Sequence, residues 1–92
     1  MNKYELQTKH DLRNSFYGKT IVKTHLNEQQ EKIISLYSYN TLVAYINETQ
    51  NKAVVLNTHS RTTLRHIKEF LKQQGFKAET KTQIEKDYIK GV

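Results

Sequence analysis

Between Phe16 and Leu56 the chain repeats one pattern, and that pattern limits the fold more than any other feature. Four segments, Phe16–Leu26, Lys32–Ser38, Thr41–Asn47 and Lys52–Leu56, are rich in Ile, Val, Thr and Tyr. Such side chains fit a pleated, half-buried surface. The connectors are NEQQE after Leu26, a turn around Asn40, and NETQN from Asn47. Each is short and polar, as hairpin loops are, and too short for a parallel crossover. An antiparallel β-meander of three to four strands follows. Ile33-Ile34 and Val54-Val55 are doubled, so apolar groups fall on both faces of the expected sheet. Gly18, within the first segment, suggests a bulge or a close backbone approach.

Downstream the hydrophobic period changes from two to that of a helix. Ser60 supplies an N-cap oxygen, and Gly75 fits the left-handed residue just beyond a helix end. Phe76 is then placed to fold back on Leu71, which bounds a helix over Arg61–Gln74. In it, Leu64, Ile67 and Leu71 form an apolar stripe for the core. His66 falls outside that stripe and is expected at the surface. Either Thr80…Gln83 or Thr82…Glu85 can open a short final helix through a capping box. Its Ile84, Tyr88 and Ile89 serve the core or a homodimer contact; a chain this short favours the core. Residues 1–15 follow no clear period and read as a loosely ordered arm or a short helix, leaving 16–92 as one domain. The expected fold class is therefore α+β: a small antiparallel sheet packed by one well-capped helix, with a short C-terminal helix.

Charge narrows the choice of partner. The formal charge is +6 over 92 residues, and it is uneven. Residues 1–26 carry five Lys/Arg against two Asp/Glu, residues 27–56 two against three, and residues 57–92 eight against four. Arg61, Arg65, Lys68 and Lys72 recur at intervals of four, three and four, a spacing that aligns them along one helix face. Such a stripe can meet successive phosphates, and arginine grips phosphate bidentately. Lys19 and Lys23 of the first expected strand could add to it. The competing reading is an ordinary solvated face. Six of the nine aromatic residues are tyrosine. Tyr37 and Tyr39, two apart, are expected on one sheet face, with Tyr45 on the next strand. These tyrosines could stack on unpaired bases or form a protein-binding surface, although half-burial with a wet hydroxyl is the commoner use of such residues.

Other chemistries find little support. The chain has no cysteine, hence no disulfide framework or thiolate nucleophile, which fits a cytoplasmic setting. His10, His25, His59 and His66 are dispersed, and no metal site is expected from them. Ser60, Thr62 and Thr63 are better explained by capping than by nucleophilic activation. Acids such as Glu28, Glu31, Glu48 and Asp87 lack the pairing that acid–base chemistry needs. There is no phosphate loop and no dinucleotide fingerprint. No catalytic residue, cofactor or membrane association is expected. The N-terminus also lacks the apolar core of a signal peptide.

Three segments together, Tyr17-Gly18-Lys19, LYSYNTLVAYI from Leu36 to Ile46, and SRTTLRHIKEFLKQQGF from Ser60 to Phe76, resemble a family of small uncharacterised proteins of phages, prophages and mobile elements of low-GC Gram-positive bacteria. That resemblance implies a setting rather than an activity, and it brings no functional residues with it. Two functions are expected. The first is an accessory protein that binds nucleic acid, or a nucleic-acid-bound machine, through the basic helix face, its expected partner being nucleic acid or an acidic or nucleic-acid-bound host protein. The alternative is a protein-binding inhibitor or adaptor, such as an anti-defence (anti-CRISPR-like) protein occupying a site on a host effector through Tyr37, Tyr39 and Tyr45.

Overall fold

A computed structural model describes residues 2–6, 19–56, 58 and 60–89. Five strands, β1 (Asn2–Glu5), β2 (Thr20–Leu26), β3 (Lys32–Ser38), β4 (Thr41–Asn47) and β5 (Lys52–Val55), form one antiparallel sheet in sequential order. Two helices, α1 (Arg61–Gln73) and α2 (Lys81–Tyr88), follow. The α+β class holds, but the sheet has five strands rather than three to four. The additional strand comes from the N-terminus, where the sequence suggested only an arm or a short helix. Its β propensity is poor, and pairing with β2 decides its conformation: Tyr4 lies opposite Val22. Beyond it the Leu6 amide donates to the Thr20 carbonyl at 3.1 Å, and the Leu6 side chain is 1% exposed. One buried leucine at the end of the strand thus anchors an otherwise exposed edge. Residues 7–18, including Gly18 and most of the supposed arm, lie outside the described residues.

Each connector has a local cause. The Asn27 side-chain oxygen accepts from the amides of Gln29 and Glu31, both at 2.9 Å, while Gln30 adopts φ 63°. Asn47 repeats the device by accepting from the Gln50 amide at 3.0 Å, and Asn51 takes φ 56°. Asparagine suits these positions because its side chain replaces a backbone turn partner. The two loops lie at the same end of the sheet. Glu31 joins them, accepting from Asn27 Nδ2 at 3.0 Å and from Gln50 Nε2 at 2.6 Å. Those hydrogen bonds, Asn27's first, hold its carboxyl below the ordinary carboxylate value. At the opposite end Tyr39 and Asn40 turn the β3–β4 hairpin with φ of 51° and 67°. Positive φ at both central residues is what the twist of a two-residue hairpin requires.

Both helices pack on one face of the sheet. Leu6, Val22, Ile34, Leu36, Ala44, Ile46 and Val55 point toward them and meet Ile67, Phe70, Leu71, Ala78 and Ile84 in the core. A bulge interrupts the alternation, since Leu36 pairs Ala44 while Tyr37 pairs Leu42. Val43 is the extra residue, and it too is buried, at 2% exposure. The doubled residues divide as the pleat demands: Ile34 and Val55 join the core, and Ile33 and Val54 face the other way.

The caps of α1 behave as expected from sequence. The Thr63 amide donates to Ser60 Oγ at 3.3 Å. At the far end Gly75 takes φ 85°, the Phe76 amide reaches the Leu71 carbonyl at 2.9 Å, and the Gly75 amide reaches that of Lys72 at 3.1 Å. This pair of bonds defines a Schellman ending. For α2 the structure selects Thr80 as N-cap, its Oγ1 accepting from the Gln83 amide at 3.1 Å. The Gln83 side chain reaches back to the Glu79 amide at 2.8 Å, one residue before the reciprocal bond of an ideal capping box. Ile84 enters the core, with Tyr88 and Ile89 packed against it.

Candidate nucleic-acid interface

The basic stripe of α1 faces outward. At about 100° per residue, Arg61, Arg65, Lys68 and Lys72 fall within an arc of about 60°. Arg61 and Arg65 are exposed, and Lys68 and Lys72 are half-buried. Half-burial of this kind is usual for a lysine, whose aliphatic stem can lie on apolar surface while its ammonium stays in water. Glu69, the only acid in α1, is 1% exposed. The solvent-facing surface of the helix therefore carries cations and no exposed carboxylate.

The inner side of α1 is wider and more polar than its apolar stripe suggested. Thr63, His66, Ile67, Glu69, Phe70 and Leu71 are buried, while Leu64 is only half-buried. His66 is not at the surface. Its ring is 1% exposed, and Nδ1 lies 2.8 Å from the Ser38 hydroxyl. The Thr63 hydroxyl stands 3.4 Å from the same Ser38 oxygen. A serine and a histidine at this distance have the reach of a nucleophile and its base. Ser38, however, is 2% exposed, so the pair is sealed beneath the helix and satisfies buried polar groups. Neither partner's sequence position could reveal the contact, because 28 residues separate them.

The six expected nucleic-acid contacts do not form one surface. Lys23 lies opposite Lys3 of β1 and Ser35 of β3, on the sheet face turned away from the helices. The α1 stripe lies on the other side of the molecule. Lys19 directly precedes β2 at the end of the sheet where the β3–β4 hairpin turns, its ammonium 5.5 Å from the centre of the Tyr39 ring. The tyrosines also separate. Tyr37 shares the outer sheet face with Tyr45, the cross-strand partner of Ser35. Tyr39 does not join them, because it is a turn residue. Its ring lies 5.9 Å from that of His66, on the helix side. The expectation that Tyr37 and Tyr39 share a face assumed a strand continuing through Tyr39. The hairpin ends that strand at Ser38.

Sequence reasoning passed over Lys3. It occupies the outer face directly across from Lys23, and the Lys23 ammonium rests 4.6 Å above the Tyr37 ring. A shallow depression here is lined by Lys3, Ile21, Lys23, Tyr37 and Asn40. Only the register of β1 against β2 brings Lys3 to it. Among the described residues no group of three His, Asp or Glu side chains is placed to hold a metal ion. No helix among them is long and apolar enough to cross a membrane.

The fold and these surfaces define a small α+β domain with a basic helix face on one side and a basic, aromatic sheet face on the other. The chain belongs to the family of unknown function DUF8033, which it matches over residues 4–86. No curated protein and no solved structure matches it.

Proposed function

We propose that this protein acts by binding nucleic acid, or a nucleic-acid-bound machine, through the outward face of α1. The observation that carries the reading is the arc of Arg61, Arg65, Lys68 and Lys72 along the outer side of α1. Four cations within one stripe can follow successive phosphates, and the counterions so released drive association. The formal charge of +6 adds long-range attraction for a polyanion. A phage or mobile-element setting, which the residue resemblance suggests, suits a small protein that works by occupancy rather than turnover.

Fluorescence anisotropy with labelled random-sequence duplexes, titrated between about 50 and 200 mM salt, tests this. The charge-reversed double variant Arg61→Glu/Arg65→Glu is expected to bind more weakly. Its salt dependence should be shallower by roughly 0.9 per lost phosphate contact, or about two in slope. Unchanged affinity and slope would remove α1 from the interface, and absence of binding at low salt would remove the function.

The alternative of a protein-binding adaptor keeps one supporting observation, the apolar and tyrosine content of the outer sheet face. Binding of that kind should be much less salt-sensitive and show the negative heat-capacity change of apolar burial.

A further inference from the structure

The outer sheet face carries a different chemistry from α1. Rows across the sheet follow from the register. One row runs Lys3, Lys23, Ser35, Tyr45 and Val54. The next holds Glu5, Ile21, Tyr37 and Leu42, and on the other side lie His25, Ile33, Asn47 and Lys52. Small Ser35 is thus a floor, with Tyr37 two residues along its own strand and Tyr45 directly across. Tyr37 and Tyr45 are neighbours on this face, on either side of the bulge between Leu36 and Tyr37.

Two features of this face point to a ligand. Lys3 and Lys23 are directly opposed, an arrangement that like charges disfavour unless an anion lies between them. Lys52 adds a third cation on the far side, and among the described residues of these rows Glu5 is the one carboxylate. The second feature is two tyrosine rings, both half-buried, beside that positive charge. Phosphates answer to the lysines, and flat π faces answer to the tyrosines. A duplex offers the first and hides the second, because its bases are stacked on one another. A single strand offers both.

We propose that the outer face of the sheet binds a single-stranded polynucleotide, with its phosphates on Lys3 and Lys23 and unpaired bases stacked on Tyr37 and Tyr45. Lys23 now rests over the Tyr37 ring, but an exposed cation–π contact is weaker than base stacking, and the lysine stem is flexible. An incoming base displaces the ammonium, which then meets the adjoining phosphate. Among the described residues nothing on the face selects for a 2′-hydroxyl, so single-stranded DNA and RNA should bind alike. The surface is separate from α1, so the two readings can fail separately.

The test is anisotropy with labelled 12-mer oligonucleotides (single-stranded DNA, single-stranded RNA and a duplex) on the intact protein. Tyr37→Leu and Tyr45→Leu remove the π face while keeping an apolar side chain, and Lys23→Gln removes charge. Arg61→Glu/Arg65→Glu reports on α1, and circular dichroism checks folding. The proposal expects each sheet variant to weaken single-strand binding by about 5- to 100-fold, within the range of one lost stacking or phosphate contact. It expects duplex binding to remain within about twofold. Quenching of tyrosine emission by the single strand should fall in both tyrosine variants; the chain has no tryptophan to obscure it. If Tyr37→Leu fails to fold, Tyr45→Leu and Lys23→Gln decide. Single-strand affinity unchanged in the folded sheet variants overturns this proposal alone, and sensitivity only to the α1 variant leaves the helix reading standing. No binding to any of the three oligonucleotides overturns both.

Discussion

Replacing His66 with alanine separates the sequence-derived position of this residue from the structural one by a measurable energy. A surface histidine on the outer flank of a helix would tolerate the change within about 0.5 kcal/mol. The structure instead places the ring at 1% exposure with a 2.8 Å contact to the Ser38 hydroxyl. Removing it takes away a buried ring, about 2 kcal/mol or more with its cavity. It also deprives a buried hydroxyl of its partner, which costs about 1–3 kcal/mol. The Thr63 hydroxyl, 3.4 Å from Ser38, recovers part of the second term. The expected loss is therefore about 2–4 kcal/mol. At about 2.1 cal/mol/K per residue the unfolding entropy of a 92-residue chain is about 0.19 kcal/mol/K, so Tm should fall by about 10–20 °C. Thermal melts followed by far-UV circular dichroism, with urea titrations for the free energy, measure it. In a double-mutant cycle, Ser38→Ala/His66→Ala should cost less than the sum of the single variants by at least about 0.5 kcal/mol. A Tm shift below about 3 °C for His66→Ala, or strict additivity in the cycle, would refute the buried polar contact as a source of stability.

Gly75→Ala should destabilise by about 1 kcal/mol. A Cβ there meets nothing within 4 Å, so the cost is the left-handed φ of 85° and not a clash, as a urea midpoint shift without a change in m will show. Glu31 governs an acid limb of stability. Its folded-state carboxyl titrates below the unfolded value, so its contribution is present above the unfolded value and lost as pH falls through the folded one. Glu31→Gln should lower Tm at neutral pH and flatten the fall of Tm in acid; an unchanged acid limb would mean that Glu31 does not couple the two loops to stability.

The capped helix and three of the strands were legible because their signals are local. Ser60, Gly75 and Phe76 act within one or two turns of α1, and the observed bounds differ from the expected Arg61–Gln74 by one residue. The strands Lys32–Ser38 and Thr41–Asn47 match at both ends, and the one beginning at Lys52 ends one residue earlier. The first expected strand is described from Thr20 onward. Tyr39 misled because a tyrosine at positive φ is uncommon, and nothing short of hairpin closure forces it there. Strand β1 was hidden because its stability comes from pairing with β2 across more than a dozen intervening residues.

Sequence alone determined the α+β class, the caps of α1, the order of the elements from β2 to α2 and the outward line of Arg61, Arg65, Lys68 and Lys72. Each depends on spacing within a single helix or hairpin, where backbone geometry fixes direction. The tertiary structure decided which cations are neighbours. Lys3 meets Lys23 through strand register, whereas Lys23 and the α1 stripe are held apart by the thickness of the core. It also drew His66 inward to Ser38, because burial depends on what packs against a helix from outside as well as on its own periodicity.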